Sequence, residues 1–482
     1  MKNSEEKNKK SLAWVGIPLS VAVFLLIYLM PRPEGLTAVS QAALAMFSAA
    51  LILWVAKPIP IYQTSILAIL LLPMLGIVKK QSVAFGTLGF DIIWLMVAAF
   101  VLTSAMSTSN LGKRIALILV TRFGKTPTKM LAILVVVNFV LAFFVPSTTA
   151  RASLIMPIAL VLLEVYRAIP GESKFDKLMM LQGVQNNAFA TSVVMTATAA
   201  QVLALGFINQ QTNASIGYMD WLLGSFPQAV LTAGIAFIIG LKMYDFKGEL
   251  GNSSEKASTL LQKQLDDLGA MSVQEKKTTV IFLLTLFLWA TGDYQKALLG
   301  VSISTEQTAV LSMLLCFLPR IGVLTWKDAN IKWDLMLFSA GAYAVGNALN
   351  DSGGASWAIS RLIEAVGLDK MSHGFVAISL IFISVFSHLI FTSKTVRTTI
   401  LIPAVIALPS QLGMNPVSLA LACAFSISCT ITLPPHSKVN TLYFGTGYFE
   451  VRDEFIFGLI SCFVCAVAIS LVYFFWLPIV LG

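Results

Sequence analysis

Apolar runs separated by short polar or basic stretches occupy almost the whole chain. A helix needs about 20 residues to cross a bilayer. At that length, spans are expected at roughly 12–30, 36–56, 61–78 and 89–108. A basic amphipathic segment follows Gly112 (Lys113, Arg114, Arg122, Lys125, Lys129) and suits a membrane surface. Two apolar arms come next, at about 130–146 and 152–168, then runs at about 180–208 and 222–243. From Tyr244 to Lys277 charged residues cluster, which reads as a solvated cytoplasmic connection. The plan then repeats, with runs at about 278–296, 305–322 and 332–349 and an amphipathic piece carrying Arg361 and Glu364. Arms at about 374–391 and 396–410 and runs at about 414–446 and 454–478 complete it. The run at 414–446 is too long for one straight helix and is interrupted at Leu433-Pro434-Pro435. Proline removes a backbone donor there, and freed backbone at membrane depth needs polar surroundings.

Composition agrees with this pattern. The 482 residues are 57% hydrophobic and 12% charged, with mean hydropathy +0.82, whereas soluble chains carry about a quarter charged residues. The expected class is an all-α polytopic membrane protein. A β-barrel would show short alternating segments instead. The first run follows a charged head but is long and lacks a small-residue cleavage site, so it reads as a span rather than a signal peptide. The net charge of +9 comes from basic residues in loops and does not point to nucleic acid. If each pair of arms is a re-entrant hairpin, 23 Lys/Arg fall on the cytoplasmic side, six outside and four at depth or near the helix break. That bias places the N-terminus in the cytoplasm and the C-terminus outside. Five cysteines lie in apolar segments, and Cys462-x-x-Cys465 has no second pair to complete a metal site, so they read as packing.

The divisions expected are a head and first span (1–35), a first repeat (36–243), a linker (244–277) and a second repeat (278–482). Five spans and one hairpin per repeat give an odd count, so the second copy is inverted. The hairpins then enter from opposite sides and their tips meet near the midplane, the arrangement of secondary transporters with broken helices.

The tips carry one motif written twice. Ser147, Thr149, Arg151 and Pro157 recur as Ser393, Thr395, Arg397 and Pro403, at a constant offset of 246 residues. Ser and Thr are favoured N-caps, and a helix N-terminus attracts anions. Two such ends facing one another suit a ligand with two carboxylates. Ser147-Thr148-Thr149 and Ser393-Lys394-Thr395 are therefore the expected clamps. Lys394, opposite Thr148 in the repeat, is a cation at depth. Insertion of a lysine at the bilayer centre costs about 2.5–3.5 kcal/mol, and an anion at about 4 Å returns about 4 kcal/mol at an effective dielectric of 20. An anionic ligand is a fitting counter-ion, because Asp91, Asp293 and Asp334 sit at span ends. Arg151 and Arg397 either reach the anion or brace the hairpins. His436, beside the proline break, is either a pH-sensitive ligand contact or a histidine satisfied by its loop.

At these residues the chain resembles the divalent-anion/sodium symporter family, the INDY-type di- and tricarboxylate transporters. The resemblance spans nearly everything after the first run. The family's two tip motifs are Ser-Asn-Thr, matched here by Ser147-Thr148-Thr149 and Ser393-Lys394-Thr395, and its Thr-Pro-Pro-like break is matched by Leu433-Pro434-Pro435. Thr198 falls at the corresponding place in the first half. The resemblance implies an eleven-span homodimer working as an elevator. In it, a scaffold (near 36–125 and 278–366) holds the dimer and a transport domain (130–243 and 374–482) moves. It places substrate on the tip residues with Thr198 and Pro434. Neither motif asparagine, which helps form the sodium sites of coupled members, is present. Lys394 instead resembles the sodium-independent exchanger branch.

The function expected is exchange of dicarboxylates such as malate, succinate, fumarate and 2-oxoglutarate, with no cofactor and no bound metal. The alternative is a sodium- or proton-coupled symporter. An anion channel would need a continuous polar pore, whereas the polar residues here concentrate at two tips. No HExxH, paired membrane aspartates or Ser–His pairing suggests a hydrolase.

Overall fold

The computed structural model describes residues 2–166, 173–246 and 254–481, and no strand occurs among them. The first group of helices is α1 (Lys2–Leu29), α2 (Ala38–Ala56), α3 (Ile61–Met74), the short α4 (Gln81–Phe85), α5 (Asp91–Ser109) and the amphipathic α6 (Leu111–Phe123). Then come α7 (Pro127–Phe144), α8 (Thr148–Val165), α9 (Lys174–Val193), α10 (Ala199–Thr212) and α11 (Tyr218–Met243). After α12 (Ser254–Asp267), α13 (Val273–Ala290) and the short α14 (Gly292–Leu299) lie α15 (Thr305–Phe317), α16 (Trp333–Asp351) and the amphipathic α17 (Gly354–Val366). The last are α18 (His373–Phe386), α19 (Lys394–Gln411), α20 (Pro416–Ser426), α21 (Lys438–Phe444), α22 (Val451–Phe475) and α23 (Leu477–Leu481).

The starts of these helices are written in the sequence. Thr37, Thr126, Ser304 and Ser372 cap α2, α7, α15 and α18 by accepting from backbone N–H groups, which satisfies donors that a helix start leaves free. Six helices among the described residues are long and apolar enough to cross a membrane, and four shorter apolar ones join them.

Packing crosses between the two halves of the chain. α3 lies against α16, α5 against α15, and α11 against α22. Gly341 allows the first approach, because a Cβ there would stand 2.7 Å from Ser65 Cα. Both hairpin arms after the tips pack on a helix of the opposite half, α8 on α21 and α19 on α10.

Both long runs are broken, as their polar interruptions suggest. α9 stops at Val193 and α10 starts at Ala199, while α20 stops at Ser426 and α21 starts at Lys438. The second interruption is wider than the Pro434-Pro435 pair alone implies.

The solvated linker is corrected in part. α12 is amphipathic rather than wholly solvated: it packs on α6 and α8 with Leu261 fully buried. Arg114 of α6 donates to Glu275 at 2.6 and 3.2 Å and to the carbonyls of Leu268 and Gly269. Residues 247–253 of that linker, and the Asp293 side chain, lie outside the described residues.

Candidate functional site

Each tip is a short turn closed by a serine cap. Ser147 Oγ accepts from Ala150 N–H at 3.3 Å to start α8, and Ser393 Oγ accepts from Val396 N–H at 3.3 Å to start α19. Thr148 and Lys394 are the first residues of their helices, so their backbone N–H groups, with those of Thr149 and Thr395, are the free donors of a helix start. Ser147, Thr148, Thr149, Ser393, Lys394 and Thr395 are half-buried, as are Thr198 at the first break and Pro434 at the second. Lys394 lies within electrostatic reach of both Arg397 and Arg151, so the structure brings the two tips to one place. Three ion pairs join the described residues, Arg114–Glu275, Lys177–Asp453 and Arg361–Glu364, and none involves Lys394.

The two arginines brace the tips. Arg151 is fully buried. It donates to the Asn187 carbonyl at 3.1 Å, to Val145 O at 3.4 Å and to Thr191 Oγ1. Asn187 returns the contact, its Nδ2 donating to Thr148 O at 3.1 Å. Arg397, also fully buried, donates to Ser426 O at 3.2 Å, at the end of α20, and to Ile427 O just past it. A buried guanidinium must be hydrogen-bonded, and here each one fastens a tip to the broken helix beside it. Among the described residues, Arg151 Nε and Arg397 Nε and Nη1 have no hydrogen-bond partner.

The breaks expose carbonyls that other helices satisfy. At the first, α11 supplies Trp221 Nε1 to Ser192 O (3.0 Å), Ser225 Oγ to Val193 O (3.1 Å) and Gln228 Nε2 to Ser192 Oγ (2.9 Å). At the second, Asn440 Nδ2 donates to Thr430 O (2.8 Å) and Leu433 O (3.0 Å), and Thr441 Oγ1 to Pro434 O (2.8 Å). α22 comes close enough there that a Cβ on Gly458 would stand 2.3 Å from Ile431 O. His436 is buried, its Nδ1 3.0 Å from Thr432 Oγ1. Its partner is thus a loop hydroxyl.

Sequence reasoning did not single out Asn187, Thr191, Asn440 or His388. The adjacent Asn186-Asn187 amides in an apolar run were a usable signal for the first. His388 shares Thr432 with His436, and only three histidines occur in the chain.

Where tip 1 meets α5 the seam is apolar. A small cavity of about 10 Å3 there is lined by Met96, Ala99 and Phe100 against Pro146, Thr196 and Ala199.

Residues 11–481 match the sodium:sulfate symporter transmembrane region. The sodium-dependent dicarboxylate transporter SdcS of Staphylococcus aureus (strain USA300) is 27% identical over 99% of this chain and 94% of its own length. A protein of Cupriavidus necator described as a membrane protein is 26% identical over 92% of this chain and 88% of its own. Among solved structures, the YdaH transporter of Alcanivorax borkumensis covers 97% of both chains at 11% identity with a TM-score of 0.44, a score at which the two folds are not equated.

Proposed function

Since the chain belongs to the sodium:sulfate symporter family of membrane transporters, we propose that it is a dicarboxylate transporter whose substrate lies between the two tips. One observation carries this: two serine-capped helix starts of one motif, each braced by a buried arginine, converge with a lysine that pairs with no carboxylate among the described residues. Each carboxylate takes N–H groups and a threonine hydroxyl from one tip, through Thr149 or Thr395. Lys394 supplies the fixed charge. Thr198 and Pro434 form the side walls, and Arg151, Arg397 and His436 hold the walls in place. The name of the relative SdcS supports the substrate class.

The mode of coupling has two readings, each with its own support. Similarity to a sodium-dependent transporter favours sodium-driven symport. Lys394 favours exchange. An empty site would carry a bare cation through an apolar seam at high cost, and a bound dianion removes that cost, so only the loaded carrier crosses. Under the same reading the unit of 130–243 and 374–482 moves as an elevator against a scaffold of 36–125 and 278–366. Eleven spans, a homodimer, a cytoplasmic N-terminus and an extracellular C-terminus complete the proposal. Proteoliposomes decide between the modes. Exchange predicts labelled-succinate uptake only into vesicles loaded with dicarboxylate, with no effect of a sodium gradient. Sodium-driven uptake into empty vesicles establishes symport and removes the exchange reading.

A further inference from the structure

Two of the three histidines meet on one hydroxyl. His388, just after α18, is fully buried, and His436 is 4% exposed. His388 Nδ1 lies 2.6 Å from the Val385 carbonyl oxygen. A carbonyl only accepts, so this nitrogen carries the proton. His388 Nε2, 2.9 Å from Thr432 Oγ1, is then the acceptor of a neutral ring, and the Thr432 hydroxyl donates to it. Thr432 Oγ1 in turn accepts from His436 Nδ1 at 3.0 Å. One carbonyl thereby fixes the direction of every bond in the chain. The rings stand edge to face with centroids 5.3 Å apart. Pro435, next to His436, is exposed, so His436 is the end nearer water.

We propose that His388, Thr432 and His436 form a proton-binding relay whose occupation is linked to occupation of the anion site; this rests on the dicarboxylate reading above. A proton from hydronium bonds to His436 Nε2. The proton on His436 Nδ1 passes to Thr432 Oγ1, and the hydroxyl's own proton passes to His388 Nε2. His436 ends neutral, with its proton moved to Nε2. His388 ends as an imidazolium that still donates to Val385 O and now also to Thr432. One positive charge has moved between rings, and each heavy atom keeps its place.

The charged and titratable groups facing His388 are Arg397 and Lys394 of α19, the Cys429 thiol of the second break and the His436 ring. Those facing His436 are His388 and Arg397. The cations oppose the imidazolium while the anion site is empty. A dianion between the tips offsets them, so dianion and proton favour one another, by the same factor in both directions. Among the described residues, the first break has Asn187 and Thr191 beside Arg151 rather than titratable groups.

The test is calorimetric titration of succinate into the full-length protein, in buffers of different ionisation enthalpy, which reads protons taken up per succinate bound. The wild type takes up a fraction approaching about one proton per succinate, and its affinity falls by up to about tenfold per pH unit where that proton is linked. Thr432→Val, which keeps the shape and removes the hydroxyl, takes up none, and Thr432→Ser restores uptake. If Thr432→Val does not fold, His388→Gln gives the same loss. Zero uptake by the wild type, or unchanged uptake in Thr432→Val, overturns the relay. If the wild type does not bind succinate, it is the dicarboxylate reading that fails. The relay is then read without substrate from nitrogen-15 histidine spectra. Protons on Nδ1 of both rings support it, and a proton on His388 Nε2 of a neutral ring overturns it.

Discussion

The two tip-and-break units use one plan with different chemistry. In both, a serine caps the arm after the tip, an arginine one turn later fastens the tip to a broken helix, and a proline sits six residues beyond that arginine (Pro157 and Pro403). The first unit is finished with neutral groups: Thr148 at the tip, Asn187 and Thr191 around Arg151, and Trp221, Ser225 and Gln228 over the break. The second carries the titratable groups: Lys394 at the tip, two histidines on Thr432, and Cys429 with its sulfur 3.5 Å from that of Cys462. Duplication thus preserves the bracing, which backbone geometry demands of any buried break. The remaining groups differ between the two units.

The largest expected effect comes from the braces, and it separates the units. Arg397→Ala removes the donor to Ile427 O, just past α20, at about 1–3 kcal/mol for a buried acceptor left unsatisfied, while Ser426 O keeps the Cys429 N–H at 2.9 Å. Arg151→Ala costs less, because Asn187 O keeps the Thr191 hydroxyl at 2.6 Å. Thermal unfolding in detergent should rank Arg397→Ala below Arg151→Ala and both below wild type, and the reverse order would break the comparison. Gly458→Ala follows. Its Cβ meets Ile431 O, and overpacking of this kind costs about 1–3 kcal/mol. It should lower both stability and transport by acting on the second break alone.

Smaller effects probe the clamps. Thr149→Ala and Thr395→Ala should each weaken succinate binding a few-fold to about tenfold, the worth of one hydrogen bond of about 0.5–1.5 kcal/mol, while the unfolding temperature stays near wild type. Unchanged transport in both would reduce the tips to capping motifs.

The smallest effect lies outside both units and serves as their control. Burial pushes the Glu275 carboxyl up, but hydrogen bonds from Arg114 and Ser272 outweigh it and hold the group below the usual carboxylate range. A depressed carboxyl stabilises the fold above its unfolded pKa and loses that contribution as pH falls through the folded one. Stability should therefore drop on acidification below about pH 4, and Arg114→Gln should remove this part of the pH dependence without altering succinate affinity at neutral pH. A changed affinity would mean that the α6–α13 contact reaches the site.

Much of this was legible in the sequence because it obeys local rules. Ser147 and Ser393 announce helix starts, the in-register repeat announces paired arms, and Pro434-Pro435 announces a break. What stayed hidden depends on distant partners. Arg151 and Arg397 each allowed two readings until Asn187, Ser426 and Ile427 were placed beside them. His388 looks like one polar residue in an apolar arm, and it gains meaning only when folding lays Thr432 against it. The linker misled because its charges hide a helix whose Leu261 face is buried.

The central claim is that one dianion binds between the tips with Lys394 as its counter-ion. Counterflow of labelled succinate into succinate-loaded proteoliposomes, in wild type and Lys394→Met, tests it directly. Wild type should accumulate label, malate and fumarate should compete, and Lys394→Met should fold yet accumulate little. Wild-type counterflow in Lys394→Met, or a wild type indifferent to dicarboxylates, would contradict it.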